Sequence, residues 1–189
     1  LVGSEMCIRD SSKYQGFTPP TRPSAYAETG VGSVKIFWDD ASENGSDVLT
    51  GYYDFEGYKI YKSLDGGSTW GSASDRIYDA DGLFVGWRPY KQFDLSAKED
   101  SLHCVYSNNY NCDKSERRNH SISGPDPYSP WFNLGYDTGL DIVRLDETDW
   151  KVVVGITYKY MFLDEDVVDG MEYTYSVVSY DMGVEPTYV

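Results

Sequence analysis

The stretch GMEYTYSVVSYD, residues 170 to 181, decides the fold. Tyr173, Tyr175, Val177 and Ser179 fall on alternate positions, and in an extended chain alternate side chains share one face. β-Branched and aromatic residues suit such a pleated surface, so the run reads as a half-buried strand. The same signal recurs upstream. In SVKIFWD (33–39) Val34, Ile36 and Trp38 share a face; in EGYKIYKS (56–63) Tyr58 and Ile60 share one while Lys59 and Tyr61 take the other. SAYAET (24–29), RIYD (76–79), KVVVG (151–155) and TYKYMFLD (157–164) are further short runs between turn residues. No stretch of a dozen residues holds helical spacing without Gly, Pro or β-branched clusters breaking it. An all-β chain is expected.

Between Asp81 and Asp149 the pattern loosens, and large aromatics such as Trp87, Tyr90, Phe93, Trp131 and Phe132 are scattered through it. A structureless loop of that length does not suit a compact domain. The expectation is one β-sandwich spanning residues 12–189, carrying a long, largely irregular but ordered insertion at about 81–149.

Composition excludes several classes. A net charge of −15 with 16 basic residues argues against nucleic acid, whose phosphates need Lys and Arg clusters. Disordered acidic chains are poor in aromatics, whereas this one has 18 tyrosines and 5 tryptophans. No apolar run approaches the roughly 20 residues of a membrane helix. Cys104 and Cys112, in the polar loop HCVYSNNYNCDKSE, read as a local disulfide in an oxidising compartment. In the chain-entropy model it would contribute about 2–3 kcal/mol. The alternative is two unpaired thiols; the spacing has no zinc pattern. An extracellular or cell-surface location follows from the disulfide reading.

The first eleven residues, LVGSEMCIRDS, resemble a translated sequencing-library adapter. They are expected to be a non-native tail without core contacts, on a fragment of a longer protein from environmental DNA. Setting them aside removes Cys7 and changes the net charge from −15 to −14, since Glu5, Asp10 and Arg9 go with them.

The remaining runs, in order, resemble a fibronectin type III domain. PPTRPSAYAE matches its Pro-rich first strand, SVKIFWDD its strand with a buried Trp at Trp38, and GYKIYKS its strand with a core Tyr at Tyr58. GMEYTYSVVSYD places Tyr173 at the tyrosine-corner position, where the hydroxyl bonds back to the preceding turn. The likeness covers residues 19–79 and 157–181 and implies an immunoglobulin-like β-sandwich. Only GVEPTYV remains for the last strand, which is expected to be cut short. GWRPYKQFDLS and PWFNLGYDTGL resemble segments of multi-domain secreted bacterial proteins, which implies location rather than chemistry.

SLDGGSTW (63–70) resembles the Asp-box, with Ser63, Asp65, Gly67, Thr69 and Trp70 in place. Physically it is a turn in which Asp65 accepts from turn amides, glycines supply positive φ and Trp70 anchors it. It is expected to join the third and fourth strands as a hairpin. The motif is frequent in sialidases, but it occurs once here, and the arginines at 22, 76, 88, 117, 118 and 144 assemble into no carboxylate-binding set.

Two acidic loops are the candidate metal sites, Asp39, Asp40, Glu43 and Asp47 in one and Asp164 and Asp166 in the other. Calcium takes six to eight oxygens from such loops; the alternative is solvated acidic loops with no cofactor. Trp87, Tyr90, Trp131 and Phe132 are the candidate ligand platform, for a sugar ring or a partner protein; the alternative is that they form the insert's own core. No catalytic residue is assigned, since neither His103 nor His120 has a nucleophile motif behind it. The functional expectation is a non-catalytic extracellular module, used for spacing, adhesion or ligand binding, with neighbouring domains and a glycan or surface protein as partners. The alternatives are a carbohydrate-binding module attached to a glycoside hydrolase and a fragment of a sialidase-like enzyme. Coplanar exposed aromatics would favour sugar binding.

Overall fold

A computed structural model describes residues 20–46, 53, 55–96, 98–99 and 136–181. The tail 1–11, Asp47, Cys104, Cys112, Trp131, Phe132 and the residues after Asp181 lie outside them, and with them the expectations about the adapter, the disulfide and the final strand. The described residues form ten strands: β1 (Ala25–Gly30), β2 (Ser33–Trp38), β3 (Phe55–Ser63), β4 (Arg76–Tyr78), β5 (Phe84–Trp87), β6 (Lys91–Asp94), β7 (Lys151–Val153), β8 (Ile156–Tyr158), β9 (Tyr160–Asp164) and β10 (Thr174–Asp181). They are joined by loops and short 3-10 turns, and none of the described helices is long and apolar enough to cross a membrane.

Two antiparallel three-stranded sheets, ordered β1-β2-β9 and β10-β3-β6, build the sandwich. Alternation explains which residues go inward. In the first sheet Val34, Ile36 and Trp38 stand opposite Asp164, Phe162 and Tyr160. In the second, Ile60 pairs with Val177 and Tyr58 with Ser179 and Phe93. The two inner faces meet in one core of Val34, Ile36, Trp38, Tyr160, Phe55, Tyr58, Ile60, Phe93 and Val177. Trp38 is its centre, fully buried, stacked on Tyr160 at 5.6 Å and edge-on to Tyr58 at 5.7 Å. Gly57 lets β6 lie against β3, since a side chain there would strike the Phe93 carbonyl.

The region expected as an irregular insert begins and ends inside this fold. β5 and β6 fall within 81–149, and Phe93, Leu95, Leu140 and Val143 all belong to the core. Asp94 makes the return possible: its carboxylate accepts from the Tyr136 and Thr138 N–H groups at 2.6 and 2.7 Å and from Thr138 Oγ1 at 2.7 Å. The four-residue strands here carry too few alternations to be read from sequence.

The hairpin expected between the third and fourth strands is not formed. β4 pairs with β5 instead, around a turn in which Asp79 Oδ1 accepts from Asp81 and Leu83 N–H. The Asp-box turn thus ends β3 and turns the chain out of the sheet.

Candidate functional site

Both ends of the sandwich are closed by a carboxylate that collects tyrosine hydroxyls. At one end Tyr58 and Tyr160, from opposite sheets, donate to Glu43 Oε1 at 3.0 and 2.6 Å. Burial pushes the Glu43 carboxyl up, and Tyr160, Arg144 and Tyr58 pull it part of the way back. Burial, with the Glu43 charge beside it, raises the Tyr58 hydroxyl well above its ordinary value. Asp39 Oδ1 accepts from the N–H groups of Ser24 at 3.1 Å and Ala41 at 3.3 Å, and Asp40 Oδ2 pairs with Lys159 Nζ at 2.6 Å. The described carboxylates of this candidate calcium loop therefore each face protein donors. Among the described residues no group of three or more His, Cys, Asp or Glu is placed to hold a metal ion.

At the other end Asp164 is buried and Lys62 Nζ lies 2.8 Å from its Oδ2. Tyr175 and Tyr90 donate their hydroxyls to it at 2.6 and 2.8 Å, and the Asp166 N–H at 3.0 Å. Burial alone would raise this carboxyl; Lys62, Tyr175, Tyr90 and the Asp166 amide outweigh it and hold the pKa below the usual value. Lys62 also donates to the Asp166 carbonyl and sits 4.8 Å from the ring centres of both Tyr90 and Tyr173. Asp164 and Asp166 are thus brought together, with Asp164 engaged by a lysine and two phenols. Tyr173 accepts the Val168 N–H at 2.9 Å and so fixes the loop ahead of β10.

The Asp-box turn stands beside this end. Ser63 Oγ donates to Asp65 Oδ1 at 2.7 Å, while the Thr69 N–H and Oγ1 donate to the two Asp65 oxygens at 2.8 Å each. These bonds, the Thr69 amide foremost, lower the Asp65 carboxyl to about 2. Gly66 and Gly67 take φ of 70° and 90°, which side chains rarely adopt, and Trp70 lies over Gly67 and edge-on to Tyr61 at 6.2 Å.

Between the Asp-box turn, the Arg88–Tyr90 segment and the Asp166–Tyr173 loop opens a cleft of about 640 Å³. Trp70, Tyr90 and Tyr173 supply its rings, and Leu64, Val168 and Met171 its aliphatic lining; these last three are 63%, 62% and 52% exposed. Of the described members of the candidate ligand set, Tyr90 lines it. Trp87 lies outside, on β5, with Phe84 edge-on at 5.4 Å and 70° and the Arg76 guanidinium 5.2 Å above its ring. Lys62, Leu64, Arg88, Val168 and Met171 were not singled out from sequence. Only the apolar Val167, Val168 and Met171 within the acidic run DEDVVDGME offered a signal.

Comparison with protein-family models, with curated proteins and with solved structures finds no match.

Proposed function

We propose that the chain is a non-catalytic, fibronectin type III-like β-sandwich module of a larger secreted or cell-surface protein, and that it serves adhesion by binding a partner in the cleft beside Asp164. The sheet orders and the Tyr173 return bond support the family likeness. One observation carries the binding reading: Leu64, Val168 and Met171, each more than half exposed, meet Trp70, Tyr90 and Tyr173 in one concavity. Clustered exposed apolar side chains in a cleft mark contact surfaces, whereas scattered single ones need no explanation.

Among the described residues a flat sugar platform is less well supported. Sugar rings stack on aromatic faces presented side by side, but Phe84 stands at 70° to Trp87, Tyr78 at 72° to Phe84 and Phe162 at 72° to Tyr90. The extracellular setting rests on the cysteine pair of the sequence and is tested separately, by mass spectrometry of the unreduced protein.

The binding role is tested without knowing the partner. In an NMR screen of the isotope-labelled chain with small amphipathic fragments, shifts are expected to concentrate on amides of residues 62–72, 88–91 and 166–173. Shifts scattered over the surface, or none, would remove the cleft as a binding site.

A further inference from the structure

We infer that the cleft receives a basic, amphipathic peptide segment of a partner protein, with apolar side chains against Leu64, Val168 and Met171 and lysine or arginine groups at its acidic rim. This deepens, and rests on, the binding role proposed above.

The apolar half of the inference comes from the lining. Leu64 leaves the Asp-box turn and Val168 and Met171 leave the loop before β10, so two separate segments turn aliphatic groups into one cleft. Met171 is unbranched and polarisable, which lets it adjust to side chains of different shape. Beneath them Lys62 is not available to a ligand in the usual way. Its ammonium is spent on Asp164 Oδ2 and the Asp166 carbonyl, between two tyrosine rings.

The charged half comes from what is left unmatched among the described residues. Lys62 offsets Asp164, and Arg88 lies near enough to Asp75 to help lower its carboxyl, after the larger effect of the Ser72 bonds. Asp65 and Asp166 remain in the lining, and Glu165, Asp169 and Glu172 are exposed along the same loop. The Asp65 carboxylate is held in place by Ser63 and Thr69, so no rearrangement is needed to present it. An anionic ligand would meet this surplus unfavourably, a neutral one would leave it unused, and a cationic one matches it. The net charge of −15 steers a basic partner in the same direction. In an extended peptide, side chains alternate between two directions. A segment alternating apolar and basic residues can therefore face the aliphatic lining and the acidic rim together.

The test uses a fluorescent, end-capped peptide alternating leucine and lysine, titrated with the full chain and followed by anisotropy. Saturable binding that weakens with salt is expected. Leu64→Ser and Met171→Ser should each weaken it by about tenfold, from loss of buried apolar surface. Asp166→Asn and Glu172→Gln should each cost roughly two- to fivefold, as exposed ion pairs do. The paired control Asp146→Asn with Glu147→Gln, outside the cleft, should leave affinity unchanged, and a peptide with glutamate for lysine should not bind. Equal weakening by the control pair would reduce the binding to bulk charge and overturn the inference, as would tighter binding of the glutamate peptide. If fragments shift the cleft amides while the leucine–lysine peptide does not bind, the inference fails and the binding role stands.

Discussion

Replacing Asp164 by alanine should be among the most damaging single changes in the protein. Its side chain is 0% exposed and that of its partner Lys62 12% exposed, so the pair is shielded from water rather than screened at the surface. Removing one member of a buried pair leaves the other charge uncompensated, at about 3–5 kcal/mol. The hydroxyls of Tyr90 and Tyr175 lose their acceptor at the same time. Domains of this size are stable by about 5–15 kcal/mol, so the variant should keep only part of its stability. At roughly 2–4 °C per kcal/mol, melting should fall by about 6–20 °C, read by circular dichroism at pH 7. Adding Lys62→Met to Asp164→Leu should recover much of the loss, because a buried pair replaced by apolar groups is often neutral. Acid titration gives an independent check. The folded carboxyl lies below its ordinary value, so its contribution is complete above about pH 4, the unfolded pKa. It disappears as pH falls through the folded value, and Asp164→Asn should remove that acid-side loss. A drop in melting temperature within error for Asp164→Ala would refute the buried hub.

Three further outcomes follow from the same physical reasoning. Glu43 is opposite in sign to Asp164: burial raises its carboxyl, so its ionisation opposes folding increasingly as pH rises through the folded value. Glu43→Gln, whose amide oxygen can still accept from Tyr58 and Tyr160, should match or exceed the parent in stability at pH 7. Glu43→Ala, which strands both hydroxyls, should unfold at lower urea concentration. At Trp38 the indole N–H is buried without a hydrogen-bond partner among the described residues, a cost of about 1–3 kcal/mol. Trp38→Phe should therefore be much less destabilising than Trp38→Ala, for which about 3–5 kcal/mol is expected, in chemical denaturation. Asp65, with its carboxyl near 2, should hold the Asp-box turn together well below pH 4. The Thr69 amide resonance should begin to move only as pH nears 2, and movement centred near pH 4 would contradict the Thr69 and Ser63 bonds.

Where side chains alternated over enough positions, the sequence was sufficient to place a strand. The faces of β2, β3 and β10 follow directly from Trp38, Tyr58 and Val177, because burial on one side of a sheet imposes a period of two. β5 and β6 escaped notice because FVGW and KQFD are short and contain no repeated alternation. Their place is fixed by long-range contacts, Phe93 against the core and Asp94 to Thr138. The Asp-box was legible as a turn, since its bonds are local, but its exit toward β4 is set by a pairing with β5 that no local pattern encodes. As a ligand site the cleft was legible only through Tyr90, because Asp65, Trp70, Asp166 and Tyr173 read as turn, anchor, calcium and corner residues. Lys62 continues the Tyr58 and Ile60 face of the strand, and its position between Tyr90, Tyr173 and Asp164 depends on three segments meeting at the end of the sandwich. The carboxylates read as calcium ligands could not be told from hydrogen-bond hubs, because both use the same residue types and differ only in what faces them.

A crystal structure of the chain with the leucine–lysine peptide is the decisive measurement of the binding proposed at the Leu64–Val168–Met171 cleft. Peptide density is expected between the Asp-box turn and the loop before β10, with leucine side chains on Leu64 and Met171 and an ammonium group near Asp166. Peptide seated instead on the exposed Ile77, Leu83 and Val85 of the β4–β5 hairpin, with the cleft empty, would contradict it.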